Sequence, residues 1–558
     1  MDTNVPRRLF MGGPRGWAGR RGVMAGALRA GIAALMLAAG AVGAKDPFPV
    51  TIPECFGFCS HYWDFQAEST LTWSMRFWQP PLAWWGAMDP LDSMAASGFL
   101  LHLTHVAWND AEREKGVYDF RLSDSVVETS VRRGIRPVYI LGYGNGLYDT
   151  TAASSTYKGL YGVTTQAGRD GYVNWARQLA RRYKGKGVIY EVWSEPNIPI
   201  FWGSPDPEAY VKLVAAAAPA IRQEDPDALI VGGALSPKNM DTGLDVPFIS
   251  RCMQLGMLEQ VDIVSFHPFN VDPPEKALEQ MQQLKALIKQ YQPAGKTIEI
   301  MATGVGYVAW LGNPVADVIR YHGHYVPRLM LSHQMYRAPV TWYDMEHWGE
   351  YSLVDRPKTG FVGTYFDNRM AWAMKPGVAA IRVCSNALRG YGFSRRIAAG
   401  DTTTDFILEF VNGAKKGLAA WTTSSAQHAV SIPLAADTAT LVTFQADSGT
   451  AARRDSLMGD YRLGVRKGIR WSGNTLSLTV SNWPQYVLVG GAGSTTVLPH
   501  VNVKVSPSFA GPVPLMALGG SRYLPGTGRP ARVYSLRGEL APNARAVLGK
   551  GVWIGVSR

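Results

Sequence analysis

The stretch VIYEVWSEPN, from Val188 to Asn197, decides the fold of this chain. Its apolar, β-rich first half, residues 188–193, stops abruptly at Ser194-Glu195-Pro196-Asn197. Short apolar runs that alternate with amphipathic segments indicate strands of a parallel sheet with helices outside it. In a parallel barrel the functional side chains lie where the strands end. Glu195 is therefore predicted to lie at a functional edge.

Similar runs recur along residues 56–388, with amphipathic segments between them. This spacing predicts an α/β fold, a (β/α)8 TIM barrel over residues 45–390. A doubly wound sheet is the alternative, but a Gly-rich phosphate turn is missing after the first strand. The predicted strands are Phe56–Ser60, Phe99–Thr104, Arg136–Gly142, Val188–Trp193, Leu229–Gly233, Asp262–His267, Thr297–Thr303 and Pro339–Tyr343. The clearest helices are Gly168–Tyr183, Pro207–Gln223 and Pro274–Tyr291.

The character of the sequence changes after Leu388. Short strands such as DFILEFVNG and TLSLTVSN are separated by Gly, Asn, Asp and Ser turns. This pattern predicts a C-terminal β-sandwich over residues 391–495. Residues 496–558 are rich in Pro and Gly, and both a flexible tail and a small β module remain open.

The first 44 residues resemble an export signal. Six Arg residues precede the apolar run GIAALMLAAGAVG, and small residues lead to Ala44. This pattern predicts a signal peptide that is cleaved after Ala44, and hence a secreted or periplasmic protein. An uncleaved membrane anchor is the alternative. No other segment is apolar enough to span a membrane.

Bulk composition excludes several classes of function. The formal charge is +12, but the leader contributes six Arg residues and one acid, and the remaining basic residues are scattered. Nucleic acid is therefore not an expected partner. Four Cys residues in 558 do not make a disulfide framework, although Cys55 and Cys59 are close enough in sequence to pair. No Cys/His cluster has metal-ligand spacing, and no cofactor is expected.

The motifs of the barrel region resemble clan A of the glycoside hydrolases, closest to family 39, which includes β-xylosidase and α-L-iduronidase relatives. EVWSEPN is followed by Phe201-Trp202, and a W-x3-E-x3-G-x-Y-x-F signature runs from Trp108 to Phe120. RPVYILGYGN, VSFHPF and WYDMEHW match the third, sixth and eighth strands. Glycoside cleavage uses two carboxyl groups that flank the bond. The resemblance implies that Glu195 on strand four is the acid/base and that its partner lies on strand seven.

The chain departs from the family pattern at the second carboxyl. Strand seven of the family reads roughly T-E-x-G-[WY], whereas this chain has Thr303-Gly304-Val305-Gly306-Tyr307. Glu299 lies an odd number of residues earlier and is expected to face away. Glu346, after strand eight, is a better substitute, and Asp344 is a weaker one.

Two further departures concern the surroundings of the pair. Ser194 replaces the Asn that usually precedes the acid/base. Strand two has no Arg to brace the second carboxyl, and His102 or His105 is the candidate to occupy nearby space. A bracing Arg without the carboxylate would be an uncompensated buried cation, so its absence is coherent with Gly304.

Other residues at the predicted strand ends suit sugar binding, because aromatic faces stack on sugar rings and His and Asn bind hydroxyl groups. The predicted substrate-binding residues are His61, Tyr143, Asn145, Ser194, Asn197, Trp202, His267, Tyr307 and Tyr343.

The sequence therefore predicts an exported glycosidase-type hydrolase that acts on O-glycosidic bonds of a polysaccharide or oligosaccharide. The alternative is a non-catalytic carbohydrate-binding pseudoenzyme. The sugar, the endo or exo mode of action and the oligomeric state are left open.

Overall fold

The computed structural model describes residues 47–60, 90–153, 161–238, 243–269, 271–307, 319–343, 354–355, 373–374, 376–446, 461–490, 532–535 and 553–556. The chain divides into two units, residues 1–498 and 499–558. In the second unit, strand Arg532–Ser535 pairs antiparallel with Trp553–Val556.

Eight parallel strands form a closed barrel in the first unit, in which consecutive strands along the chain pair with each other and the first strand pairs with the last. This confirms the predicted TIM barrel and each of its eight strands. The strands are β1 (Phe56–Cys59), β2 (Leu101–Thr104), β3 (Arg136–Leu141), β4 (Ile189–Val192), β5 (Leu229–Leu235), β6 (Ile263–Phe266), β7 (Glu299–Val305) and β8 (Val340–Trp342).

Helices surround the barrel. They are α1 (Pro90–Ser97), α2 (Trp108–Ala111), α3 (Arg121–Val131), α4 (Gln166–Arg182), α5 (Pro199–Trp202), α6 (Pro207–Glu224), α7 (Val246–Gln254), α8 (Met257–Gln260), α9 (Ala277–Tyr291), α10 (Tyr325–His333) and α11 (Pro376–Ala387). Turns of 3-10 helix cover Pro274–Lys276 and Gln334–Tyr336, and a π-helical segment covers Ile319–His324. Short strand pairs join Ala152–Ala153 to Tyr161–Gly162, and Val354–Asp355 to Ala373–Met374.

Alternating side chains fill the two sides of the barrel wall. Leu103, Val138, Ile189, Val231 and Met301 belong to one buried cluster inside the barrel, drawn from β2 to β7. Their neighbours along each strand pack against the helices, as the two-residue period of a strand requires. An interior position on one strand therefore faces interior positions on the others.

Two strands that line the mouth contain an extra residue relative to their neighbours. The register of β5 against β6 shifts between Gly232 and Leu235. The register of β7 against β8 also shifts, because Val340 pairs with Ala302 whereas Trp342 pairs with Val305. Such bulges re-aim side chains at the rim of a barrel.

Antiparallel strands follow the barrel. They are β9 (Gly392–Arg396), β10 (Asp405–Asn412), β11 (Lys415–Thr422), β12 (His428–Pro433), β13 (Thr438–Ala446), β14 (Tyr461–Arg470), β15 (Thr475–Val480) and β16 (Gln485–Val489). Six of them form one sheet in the order β9-β10-β11-β16-β13-β14, and β12 pairs with β15. Buried residues of both sheets, including Ile407, Leu418, Ile432 and Leu478, pack together. The predicted β-sandwich is confirmed, although β9 and β14 were not predicted from the sequence.

The sandwich shares a buried polar contact with the barrel. Arg328 of α10 donates through Nε and an Nη to the two oxygens of Glu275, each at 2.7 Å. Trp421 of β11 donates from Nε1 to Glu275 Oε1 at 2.7 Å. All three side chains are almost fully buried. A buried ion pair is tolerated only when such hydrogen bonds satisfy it, so this contact braces the sandwich against the barrel.

All four cysteines, Cys55, Cys59, Cys252 and Cys384, are buried, and none of them forms a disulfide bond. The possible Cys55–Cys59 pair is therefore not formed. Among the described residues, none of the helices combines the length and apolar character that crossing a membrane requires.

Candidate active site

Glu195 lies in the loop beyond β4, where the backbone takes an uncommon conformation. Trp193, Glu195 and Ala234 have φ angles of 71°, 53° and 44°, in the left-handed region that glycine favours. Each such residue costs about 1–3 kcal/mol and persists only where the surroundings enforce it. Here the Trp193 ring is fully buried, and the Glu195 backbone N–H donates to Ala234 O at 2.9 Å. The loop is therefore held in place by its neighbours, a feature that clusters at functional sites.

A histidine from the end of β6 holds the Glu195 side chain. His267 Nδ1 lies 2.7 Å from Glu195 Oε1. The two side chains are 7% and 12% exposed, so the pair is nearly enclosed but still reached by solvent. This contact contains one proton. Either the imidazole carries it and its N–H donates to the carboxylate, or the carboxyl carries it and donates to the imidazole nitrogen. The carboxyl is thus positioned to exchange a proton with a group in the mouth.

Gly304 lies beside this pair. A Cβ built at Gly304 would be 3.3 Å from His267 Cδ2, so this position faces the mouth. The bulge in β7 explains this placement, because it lets Thr303 and Gly304 both point toward the interior. The φ of Gly304 is outside the left-handed region, and a Cβ there would require the imidazole to move by only a few tenths of an ångström.

A second carboxyl, which was not predicted from the sequence, lies inside the barrel below this pair. Glu191 of β4 is completely buried. Its Oε1 accepts hydrogen bonds from Ser265 Oγ and Thr303 Oγ1, both at 2.6 Å. Its Oε2 has no hydrogen-bond partner among the described residues. Burial raises the pKa of Glu191, opposed by the nearby His267 and by the two hydroxyl donors.

The signal for Glu191 was present in the sequence. Glu191 lies two residues after Ile189, which is an interior residue, and four residues before Glu195. An acidic residue at an interior position of a buried strand is expensive unless it is hydrogen-bonded or protonated. Such a position is therefore a candidate for a special role.

Comparison with known proteins identifies the family. The sequence profile of the glycosyl hydrolases of family 39 matches residues 44–424. The chain belongs to glycosyl hydrolase family 39. The resemblance inferred from the motifs is thereby confirmed.

Similar curated proteins of known activity include two β-xylosidases. The β-xylosidase of Geobacillus stearothermophilus is 25% identical over 243 residues, which are 39% of this chain and 46% of that protein. The β-xylosidase of Caldicellulosiruptor saccharolyticus is 26% identical over 216 residues, which are 35% and 41% of the two chains. This family 39 chain therefore spans less than half the length of these curated relatives.

Solved structures show the same fold. A family 39 glycoside hydrolase from Bacteroides cellulosilyticus WH2 has a TM-score of 0.57 and 18% identity, over 79% of this chain and 82% of that chain. A monomeric β-xylosidase from Caulobacter crescentus CB15 has a TM-score of 0.53 and 14% identity, over 80% and 97% of the two chains.

Two of the predicted sugar-binding residues of this family 39 protein lie together at the mouth. Tyr143 and Ser194 are 5% and 6% exposed, and the Ser194 side chain is close enough to influence the Tyr143 phenol. Burial raises the pKa of Tyr143, so its hydroxyl is neutral and able to donate. Its ring packs against Trp193 and Phe201.

Other predicted sugar-binding residues fasten loops of the barrel. Asn145 Nδ2 donates to Glu112 O at 2.7 Å, and Asn197 exchanges two hydrogen bonds with the Ser236 backbone. Tyr307 donates its hydroxyl to Val271 O at 2.5 Å. These contacts use the polar groups that would otherwise bind a sugar hydroxyl.

Trp202 and Tyr343 differ in their exposure. The Trp202 ring is fully buried against Trp193 and Tyr210, so it presents no face on which a sugar could stack. Tyr343 is half-buried and packs edge-on against Phe269. His61, Asp344 and Glu346 lie outside the described residues, so the proposed substitution of Glu346 for the missing carboxyl stays a prediction.

The two histidines of strand two contact different parts of the barrel. His102 hydrogen-bonds Ser60 and Ser130 on the helical side, and burial lowers its pKa to about 3. His105 packs edge-on against Tyr143 beneath the mouth, and burial likewise lowers its pKa to about 3. His102 therefore does not occupy the space of a bracing Arg.

The W-x3-E-x3-G-x-Y-x-F signature has a structural role here. Glu112 is fully buried and accepts hydrogen bonds from Trp108 Nε1, Gly116 N and Tyr148 Oη, at 2.5–2.7 Å.

Glu299 faces the helical layer, as predicted, where it pairs with Lys285. Within the part of the chain that the structure describes, no group of three or more His, Cys, Asp or Glu residues could hold a metal ion.

Proposed function

We propose that this protein is a glycoside hydrolase that cleaves O-glycosidic bonds of a polysaccharide or oligosaccharide, with Glu195 as the acid. The observation that carries the proposal is the Glu195–His267 contact at the barrel mouth, in a chain of family 39. Because the similar curated proteins are named β-xylosidases, a β-xyloside is the first substrate to test.

Gly304 determines the mechanism that is available. A retaining enzyme forms a covalent glycosyl-enzyme intermediate through a second carboxylate. Position 304 faces the mouth but has no side chain, so this step has no nucleophile there. We therefore propose that Glu195 protonates the leaving oxygen while a water molecule attacks the anomeric carbon from the opposite face. The product then has inverted configuration.

The test is hydrolysis of a panel of aryl glycosides by the unaltered protein and by the Gly304→Glu and Glu195→Gln variants. We expect slow hydrolysis by the unaltered protein, faster hydrolysis by Gly304→Glu, and loss of activity in Glu195→Gln. Equal activity of the Glu195→Gln variant and the unaltered protein on a poor leaving group would contradict the assignment of the acid.

A second candidate function is non-catalytic carbohydrate binding, which the missing side chain at position 304 favours. Titration calorimetry with oligosaccharides separates the two candidates. A binding protein retains its affinity in Glu195→Gln and shows no turnover in any variant. A hydrolase loses turnover in Glu195→Gln.

Export is also proposed, on the basis of the basic and apolar leader in residues 1–44. N-terminal sequencing of the protein from culture medium or periplasm is expected to begin at Lys45. Recovery of the full-length chain in the membrane fraction would instead support an uncleaved anchor.

A further inference from the structure

Three consecutive contacts connect the two carboxyl groups of the β4 segment. Glu191 Oε1 is 2.6 Å from Thr303 Oγ1, and Thr303 Oγ1 is 3.3 Å from His267 Nε2. His267 Nδ1 is 2.7 Å from Glu195 Oε1. A hydroxyl and an imidazole can each accept a proton on one side and donate one on the other. The contacts therefore form a continuous path for a proton from the buried carboxyl to the mouth.

We propose that Glu191 stores the proton that Glu195 uses as the acid, and that Thr303 and His267 transfer it between the two carboxyl groups. This inference rests on the proposed hydrolase function. Glu191 does not touch the substrate and is a positioning residue, because it acts through His267.

The proton balance along the path has two end states. In the first, Glu191 is protonated and donates to Thr303, Thr303 donates to His267 Nε2, and His267 Nδ1–H donates to ionised Glu195. In the second, Glu195 is protonated and donates to His267 Nδ1, Nε2–H donates to Thr303, and Thr303 donates to ionised Glu191. Each state holds three protons on the path, and conversion of the first into the second moves one proton from Glu191 to Glu195.

The surroundings of Glu191 favour storage of a proton. Oε2 has no hydrogen-bond partner among the described residues, and an ionised oxygen in that position would be unsatisfied. Oε1 also accepts from Ser265 Oγ, which fixes the carboxyl toward β6 and β7.

Some of the charged and titratable groups around Glu191 raise its pKa, and others lower it. His267 favours the ionised form of Glu191, whereas Glu195 disfavours it. The phenols of Tyr143 and Tyr210 are also close enough to interact electrostatically with Glu191, and burial keeps both neutral. The proton therefore responds mainly to the charges of His267 and Glu195.

The path serves turnover in a site without a second carboxylate at position 304. Glu191 first passes its proton to Glu195, and cleavage then transfers that proton to the leaving oxygen, which leaves both carboxyl groups ionised. The attacking water releases one proton to solvent on the opposite face, and one proton from solvent returns to the pair through Glu195, which solvent reaches. Water is the only reactant consumed, and no proton is gained or lost over the whole cycle.

The first test does not depend on activity. The ring nitrogens of His267 are followed by NMR over a pH series in ¹⁵N-histidine-labelled protein, with His267→Gln used to assign the signals. We expect two inflections for His267 in the unaltered protein. Glu191→Gln, which keeps the shape of the carboxyl but cannot supply its proton, is expected to remove one of them.

The control is Glu299→Gln, which removes a carboxyl on β7 that pairs with Lys285 on the helical side. This variant is expected to leave the His267 titration unchanged. A His267 titration that is identical in Glu191→Gln and the unaltered protein would overturn the proposal.

The second test uses hydrolysis. Glu191→Gln is expected to lower turnover of a poor leaving group by about 10- to 100-fold, less than removal of the acid itself. Turnover of a dinitrophenyl glycoside, which leaves without protonation, is expected to change less than about twofold. An equal loss for both leaving groups would contradict the path and indicate a structural role. If no variant hydrolyses any glycoside, the proposed function fails, and the NMR result still decides whether the path exists.

Discussion

At the scale of single residues, the proposed chemistry depends on Glu195 and His267. Replacement of Glu195 by Gln removes the proton but keeps a group that can hydrogen-bond His267. We expect turnover of glycosides with poor leaving groups to fall by about 10²- to 10⁴-fold. The melting temperature should change little. Steady-state kinetics and a thermal melt of the same samples check both statements, and a turnover loss accompanied by unfolding would invalidate the comparison.

The buried carboxyl of Glu191 gives a pH dependence of stability. Burial raises its pKa in the folded state, so between the unfolded and folded pKa values the folded protein holds more protons than the unfolded chain. The contribution of Glu191 to stability is therefore most favourable at low pH and declines as pH rises through this window. Glu191→Gln stays neutral throughout.

The variant is therefore expected to melt at a higher temperature than the unaltered protein at pH 8, with a smaller difference at pH 5. Thermal melts of both proteins at the two pH values measure this difference in melting temperature. A larger gain at pH 5 than at pH 8 would show that Glu191 is ionised in the folded protein.

The sequence predicted which carboxyl lies at the mouth but not the network around it. Glu195 could be recognised because it ends a β-rich run within a known motif. Its link to His267 depends on two strand ends that are 72 residues apart and meet only when the barrel closes. Trp202 was misleading for a related reason, because an aromatic residue at a strand end can point either into the mouth or into the surrounding core.

At the scale of elements, the bulges in β5 and β7 shape the site. Gly233 in the β5 bulge has a φ of 109°, and a Cβ there would lie 2.6 Å from the backbone oxygen of Ser265. Gly233→Ala is therefore expected to lower the free energy of unfolding by about 2 kcal/mol or more.

Because Ala234 O accepts the Glu195 backbone N–H, Gly233→Ala should also reduce turnover. Chemical denaturation and kinetics measure the two effects. Gly116→Ala is the matched control for positive φ, since no atom lies within 4 Å of a Cβ at that position. Equal stability losses in both variants would show that the close approach at Gly233 has no effect of its own.

The elements themselves were largely predictable. All eight barrel strands could be predicted from apolar runs, because a strand that is buried on both faces is a nearly continuous run of apolar residues. The bulges were not predictable, since they depend on the register between neighbouring strands. The strand Tyr461–Arg470 was missed because its many basic residues obscure the alternation that marks a strand.

At the scale of the whole molecule, the barrel and sandwich are joined by Glu275, Arg328 and Trp421. Arg328→Met leaves the buried Glu275 carboxylate without its cation, and we expect it to destabilise the protein by about 3–5 kcal/mol. The control is Arg320→Met, because Arg320 and its partner Asp272 are both about half exposed and their pair contributes at most about 1 kcal/mol. Denaturant titrations compare the two variants, and similar losses would contradict the bracing role.

The most direct measurement of the central claim is the anomeric configuration of the first-formed product, followed by proton NMR during hydrolysis of an aryl β-xyloside. The account predicts inversion by the unaltered protein, because Glu195 acts without a nucleophile at position 304. It predicts retention by the Gly304→Glu variant. Efficient hydrolysis with retention by the unaltered protein would contradict the account, because another residue would then form the covalent intermediate.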